Sequence, residues 1–473
     1  MNPHSVVLAV VAIGLSLPSA RAQFPSFPAS DKVLGANNLN TPGAGSNTPS
    51  GLSFPSGVAF DRSSGKLFVV CNSQHRILRF ANPSGLANGA NAESVFGQVN
   101  FSSIDPGATA TTLNTPYGIH IDVSGRLWVA DSGNHRVLMF QGATSLGLGA
   151  TADLVLGQPN FTTVVAGTTA AKMNTPWSVF VDAEDNLWVA DSGNHRVLKF
   201  ASVSTLANGA SATNVLGQPN FVTTTSNTNA VKMSFPSGVT IDTAGRLWVA
   251  DQNNHRVLRF DAAATLGNGA AANAVLGQPD FITNANGLSA NAFNLPADLI
   301  VDAAGTLYVI DFFNSRVVFH KNAATKADGA AADGVIGQPD LFTNSPGVTE
   351  RKLNSPYSGI TFDAAGALWI SDPSNGRVLR FSPDRIAAPP ATSGKVPKST
   401  SSSKLTLRGS ASDTNGVAQV RYRVGKGAFL AASGTTSWTF KAKLKPGKNT
   451  IEIVTVDTVG NVSAAKRVKV TRE

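Results

Sequence analysis

Asp131, Asn134, His135 and Arg136 fall within six residues, and side chains of these types could run acid–base chemistry or hold a metal. The group returns as Asp191/Asn194/His195/Arg196 and Asp251/Asn254/His255/Arg256, then in thinner form as Asp311/Asn314/Arg316 and Asp372/Asn375/Arg377. An earlier copy ends in His75-Arg76 and carries Cys71 in the aspartate's place. A catalytic group is needed once, whereas this one recurs. Histidines at equivalent positions of successive units (His75, His135, His195, His255) are carried apart by the repeat and do not converge on one ion. The cluster therefore reads as structure: the aspartate accepts N–H groups of a tight turn, and the arginine ties neighbouring units by bidentate bonds. Cys71 is the single cysteine, so an intramolecular disulfide is excluded, and it reads as a buried structural substitute rather than a reactive thiol.

The elements that must position these residues are short strands. Arg76, Arg136, Arg196, Arg256, Arg316 and Arg377 are spaced 60, 60, 60, 60 and 61 residues apart. In the second unit the strand-like runs are Gly118–Asp122, Arg126–Asp131, Arg136–Phe140 and Leu154–Gly157, filled with apolar, β-branched and aromatic residues and punctuated by Gly, Asn, Asp and Pro. Four strands per unit and six units predict an all-β, six-bladed β-propeller, an array whose units bury their faces only against neighbours. The fourth-strand motif starts at Val95, Val155, Val215, Val275 and Val335 and is missing after Arg377, but a copy stands at the N-terminus as Val33-Leu34-Gly35. An N-terminal strand completing the last blade would close the ring and remove its free edge.

The Asn-His-Arg-Val segments, preceded by Leu-Trp-Val-Ala-Asp and, in most copies, by Pro-x-Gly, resemble NHL repeats over roughly residues 30–385. The period of about 60 exceeds the 40–50 residues usual for propeller repeats; the surplus lies in loops such as Ala201–Asn214 and Gln218–Asn229, where specificity would reside. The resemblance implies a binding propeller or, as an alternative, a metal-dependent enzyme of the amidating-lyase or lactonase kind. The lyase's zinc ligands do not map onto this chain residue by residue. The calcium cluster of the lactonases has no counterpart beyond the repeated Asp61, Asp122, Asp182, Asp242, Asp302 and Asp363, which read as hairpin-turn residues. No cofactor and no metal site are expected.

The informative positions are those where the copies diverge. Ser56, Tyr117, Trp177, Ser237, Ala297 and Tyr357 follow the repeat proline, precede the innermost strand and should ring one mouth of the central channel. Three aromatics there could stack on a sugar or clasp a peptide side chain, or else pack blade on blade. His120 interrupts one inner strand, where the counterparts are Ala59, Phe180, Thr240, Ile300 and Thr361; it reads as an interior residue or, alternatively, a channel ligand. An extra residue between Pro356 and Asp363 predicts a bulge near the same rim in the sixth blade.

Residues 1–22, with the apolar run Val6–Leu17 and a small-x-small step at Ala20-Arg21-Ala22, read as a secretion signal and make Gln23 the expected mature N-terminus. No later stretch is apolar enough to span a bilayer. The propeller is expected over 23–386, a Pro/Ser/Thr/Lys-rich linker over 387–403 and a last domain over 404–473. Strict alternation in Ile451–Asp457 and Lys466–Val470, the Asp457–Asn461 turn, the Leu444–Asn449 step and Trp438 resemble a bacterial immunoglobulin-like β-sandwich. Charge divides sharply: residues 391–473 hold 15 Lys and Arg against 4 Asp and Glu, net +11, while residues 23–390 hold 22 against 25, net −3. NHL propellers elsewhere bind RNA, but a signal peptide and a net-negative propeller argue against nucleic acid here. The sequence thus predicts an exported, monomeric binding protein. Its propeller would recognise a peptide, protein or glycan, and residues 404–473 would attach to an anionic polysaccharide or envelope surface; a purely structural surface protein is a further alternative.

Overall fold

In the computed structural model each repeat folds into one four-stranded antiparallel sheet. The structure describes residues 24, 27–383, 390–413, 416–457, 462–463 and 465–473; the signal segment 1–22, the start of the linker and most of the Asp457–Asn461 turn lie outside them. The described residues form two compact units, Phe24–Pro383 and a second within Asp384–Glu473. Six four-stranded sheets make the first, a six-bladed propeller. Blade one comprises Pro55–Asp61, Lys66–Cys71, Arg76–Phe80 and Ser94–Phe96, hydrogen-bonded in that order, and blades two to five repeat it. Blade six takes Ile360–Phe362, Leu368–Asp372 and Arg377–Phe381 from the end of the unit and Lys32–Leu34 from its start, with Val33 opposite Leu379. The ring therefore closes as the offset motifs require.

Each blade is a two-faced sheet, so its apolar side chains are buried against the blades on either side. Trp128, Ala130 and Val137 of blade two meet Val179, Val189 and Leu198 of blade three in one core cluster, and the pattern recurs around the ring. The hairpin between first and second strands is held by its aspartate: Asp122 Oδ1 accepts from the N–H of Ser124 (2.9 Å) and Arg126 (3.1 Å), and Oδ2 accepts from the Trp128 indole (2.9 Å).

In the recurring Asp-x-x-Asn-His-Arg group the Asp, Asn and Arg side chains are buried and the histidines half-buried. Asp131 Oδ1 accepts from Asn114 N–H (2.7 Å), while Oδ2 accepts from Asn134 Nδ2 (2.8 Å) and Arg136 Nε (2.7 Å). Burial pushes this carboxyl up, opposed by the guanidinium and these donors; every hydrogen-bonding neighbour donates to it, which favours the ion. The rest of the guanidinium does not reach a second carboxylate. It donates to backbone carbonyls of the loops entering and leaving its blade, Thr109, Thr112 and Phe161. Arg377 does likewise in blade six and reaches the Leu39 carbonyl across the closure. The histidines are ties of the same kind. Each sits in left-handed backbone (φ 52–55°) and accepts on Nδ1 from the N–H that opens the next blade, as Thr175 donates to His135 at 3.0 Å. Ser315 Oγ takes that place in blade five (3.3 Å). Cys71 is fully buried, and burial raises its thiol to about 11, which leaves it unreactive.

The second unit is a sandwich of a three-stranded sheet (Ala391–Thr392, Lys404–Ser410, Ser437–Lys443) and a five-stranded one (Ser399–Thr400, Lys466–Arg472, Gly447–Asp457, Val417–Val424, Leu430–Ala431). Tyr422 of one sheet stacks on Phe440 of the other with centroids 3.7 Å apart. Part of the Pro/Ser/Thr/Lys-rich stretch read as linker is structured: Ala391–Thr392 and Ser399–Thr400 are edge strands, where exposed polar residues suit the position.

Candidate binding site at the propeller mouth

The innermost strands lie side by side because their Pro-x-Gly starts approach closely. Gly118 N–H donates to Trp177 O (2.8 Å), and a Cβ on Gly118 would fall 2.4 Å from that oxygen. At Gly359, between blades six and one, the clash would be 1.9 Å from Ser56 O. The register shifts just after the proline in blades one, three, four and five, whereas blade six, where the extra residue predicts a bulge, pairs Ile360–Phe362 with Leu368–Ile370 without a shift.

This approach brings together three of the six divergent positions. Tyr117 stacks on Trp177 (centroids 4.7 Å, 23°), and Tyr357 meets Trp177 edge-on (5.3 Å) and Tyr117 at a tilt (5.9 Å). Blades two, three and six therefore touch across the channel mouth. Ser56, Ser237 and Ala297 lie beneath, fully buried or nearly so; Ser56 Oγ donates to Tyr117 O (3.3 Å) and Ser237 Oγ to Pro296 O (3.2 Å), which are blade-to-blade ties.

Four further rings join that the proline-based reading passed over. Phe235 meets Trp177 perpendicularly (4.5 Å), Phe54 lies 6.3 Å from Tyr357, and Phe312 packs on Tyr357 (4.5 Å) and stacks on Phe313 (4.5 Å). Every blade now contributes an aromatic ring. The signal was present in the sequence: Phe312-Phe313 occupies the turn where other copies have Ser132-Gly133, Ser192-Gly193 or Gln252-Asn253. Phe313 is 54% exposed and carries the cluster out to solvent. Burial raises the Tyr117 and Tyr357 hydroxyls above their ordinary range, so both stay protonated as donors at neutral pH. Trp177 Nε1 is a buried donor without a well-formed hydrogen bond, and the buried Gln252 side chain lies beside the Tyr357 hydroxyl.

His120 sits deeper, in the inner strand of blade two, with its ring 4.4 Å from Phe180. Burial, opposed by Asp122 and a hydrogen bond to the Val181 backbone, pushes it down to about 4, so it is neutral at pH 7. Asp298 replaces the Pro-x-Gly glycine in blade five; burial pushes its carboxyl up to about 7, and its oxygen accepts only from its neighbour's N–H, Leu299 (2.9 Å). Among the described residues no three His, Cys, Asp or Glu side chains stand close enough to hold a metal ion.

A family model for the teneurin NHL domain matches residues 52–321, more than half of the 473 residues. The chain belongs to the teneurin NHL domain family. The C-terminal part of this NHL protein, residues 390–453, matches a bacterial Ig domain. A search of curated proteins gives no match. Solved structures similar to the NHL chain include a gluconolactonase from Xanthomonas campestris, 15% identical with a TM-score of 0.42, covering 76% of this chain and 99% of the other. A virginiamycin B lyase from Staphylococcus aureus is 12% identical with a TM-score of 0.40, covering 74% and 98%. Likeness at this level carries nothing about activity. No helix among the described residues is long and apolar enough to cross a membrane, and a bacterial Ig domain is compatible with an extracellular protein.

Proposed function

We propose that this is an exported binding protein whose propeller mouth recognises a peptide, protein or glycan, while the basic Ig-like unit attaches to an anionic envelope or matrix component. The observation that carries the reading is the aromatic plate itself. Rings accumulate where the repeats depart from one another, converge from all six blades on one mouth, and end in an exposed Phe313 that no blade needs for packing. Tyr and Trp supply stacking area together with polar edges, the chemistry suited to sugar faces and to apolar peptide side chains. The repeated charged groups, in contrast, are consumed in holding blades together.

The test is a glycan and peptide array probed with the full chain, followed by Phe313→Ser, which restores a residue type found at Ser73 and Ser374, and by Trp177→Ala. Loss of the array ligands in Phe313→Ser with unchanged thermal unfolding supports the mouth; retention in both variants refutes it. Elemental analysis of the purified chain addresses the enzyme alternative, because about one tightly held zinc or calcium per chain would favour it.

A further inference from the structure

The outward face of the three-stranded sheet in the C-terminal unit carries cations and hydroxyls. Along Lys404–Ser410 the residues Leu405, Leu407 and Gly409 turn to the core, which leaves Lys404, Thr406, Arg408 and Ser410 outside. Along Ser437–Lys443 the buried set is Trp438, Phe440 and Ala442, which leaves Ser437, Thr439, Lys441 and Lys443 outside. The register sets Lys404 opposite Lys443, Thr406 opposite Lys441 and Arg408 opposite Thr439. Two lysines directly opposite one another repel and destabilise a sheet, and no carboxylate on either strand offsets them. The five-stranded sheet differs: Glu452 lies between Arg423 and Arg467 and accepts from both, at 2.7 and 2.9 Å. Beside Arg408 the face opens into a groove of about 480 Å³ lined by Ser393, Lys395, Val396, Thr406 and Arg408 among others.

We propose that this face binds an anionic polysaccharide, a carboxylated or sulfated glycan laid along the two strands from Lys404/Lys443 to the Lys395–Arg408 groove. Outward residues on one strand recur roughly every 7 Å, so the cations form a line of evenly spaced charges, with threonine and serine hydroxyls between them to meet sugar hydroxyls. The two long strands present no aromatic ring on this face for nucleobase stacking and no large apolar side chain for insertion into a bilayer. The inference rests on the reading that the basic unit attaches to an anionic component, and it specifies the face and the partner.

The experiment compares the full chain with two variants of equal net charge. One carries Lys404→Gln, Arg408→Gln, Lys441→Gln and Lys443→Gln. The other carries Arg421→Gln, Lys448→Gln, Lys466→Gln and Lys469→Gln, all exposed on the second sheet. Binding is measured to immobilised polygalacturonate, heparin and neutral dextran, to phosphatidylserine vesicles and to double-stranded DNA, with circular dichroism as a check on folding. An exposed charge contact is worth roughly twofold in affinity, so the first variant should bind polygalacturonate or heparin on the order of 20-fold more weakly. The second should stay close to the wild type, and neutral dextran should not bind. Equal loss in both variants overturns the assigned face while the basic attachment stands. Binding to vesicles or DNA in preference to either polysaccharide overturns the glycan. No binding to any anionic probe overturns both the face and the attachment on which it rests.

Discussion

Blade one tests the account of the buried ion pairs, because it alone lacks the aspartate. With Cys71 in that position, Arg76 Nε has no well-formed hydrogen bond, and the Cys71 sulfur stands beside the guanidinium of a side chain that is fully buried. The loop N–H that Asn114 directs to Asp131 in blade two belongs here to Ser53, and it donates instead to Gln74 Oε1 at 3.2 Å. Gln74, one methylene longer than Asn134, has taken over half of the missing carboxylate's work. Replacing Cys71→Asp together with Gln74→Asn should recreate the geometry of the other five blades. A carboxylate oxygen would meet Arg76 Nε, and removing one unsatisfied buried donor should stabilise the chain by about 1 kcal/mol. Either change alone should cost about 1 kcal/mol or more. Cys71→Asp sets a carboxylate against Gln74 Oε1, and Gln74→Asn strands the Ser53 N–H. The coupling in the cycle is then about 3 kcal/mol, against a few tenths for independent sites. Urea unfolding followed by tryptophan fluorescence reads it, since five of the six tryptophans (Trp128, Trp177, Trp188, Trp248, Trp369) belong to the propeller. Single changes that add up to the double within about 0.5 kcal/mol would refute the exchange of roles between Cys71 and Gln74.

Three further outcomes are expected. His320 stands fully buried where the other blades carry Phe80, Phe140, Phe200, Phe260 and Phe381, its ring nitrogens lack well-formed hydrogen bonds, and burial pushes it down to about 4. A histidine depressed below its unfolded value of ~6.5 contributes stability that is complete above pH ~6.5 and is lost as pH falls toward 4, here about 3 kcal/mol. His320→Phe should flatten that acid loss in urea titrations at pH 7.5 and 4.5, and parallel declines in both proteins would contradict it. Gly359→Ala, whose Cβ would lie 1.9 Å from Ser56 O, should cost more than about 2 kcal/mol, whereas Gly65→Ala, with open space but φ +71°, should cost nearer 1; similar melting shifts would undo the close-approach argument. Removing the chain through Gly35 leaves Arg377–Phe381 with an unpaired edge, so the truncated protein should melt lower and associate with concentration in light scattering, and an unchanged monomer would show that closure by the N-terminal strand is dispensable.

The sequence by itself determined the six blades, the strand order within them and the closure. These follow from local periodicity and from a motif count offset by one strand, both of which are written along the chain. It also argued against one shared site at Asp131, Arg136 and their counterparts, because a group repeated around a ring is spread by the ring's symmetry. Charge segregation and the alternation in Ile451–Asp457 and Lys466–Val470 were equally legible. What only the tertiary structure decided is which divergent residues meet. Tyr117, Trp177 and Tyr357 lie in three different blades, and Phe235 and Phe312 in two more; their contacts depend on blade rotation and on glycines such as Gly118 that let inner strands approach. Ser56, Ser237 and Ala297 share the same place in the repeat, yet they are covered, because small side chains there leave the mouth to the larger rings. The arginine's carbonyl partners were likewise hidden: Thr109, Thr112 and Phe161 carry no signature, since a backbone oxygen is the same in every residue. The opposition of Lys404 and Lys443, 39 residues apart in the chain, needed the register of their two strands, which side-chain alternation alone does not fix.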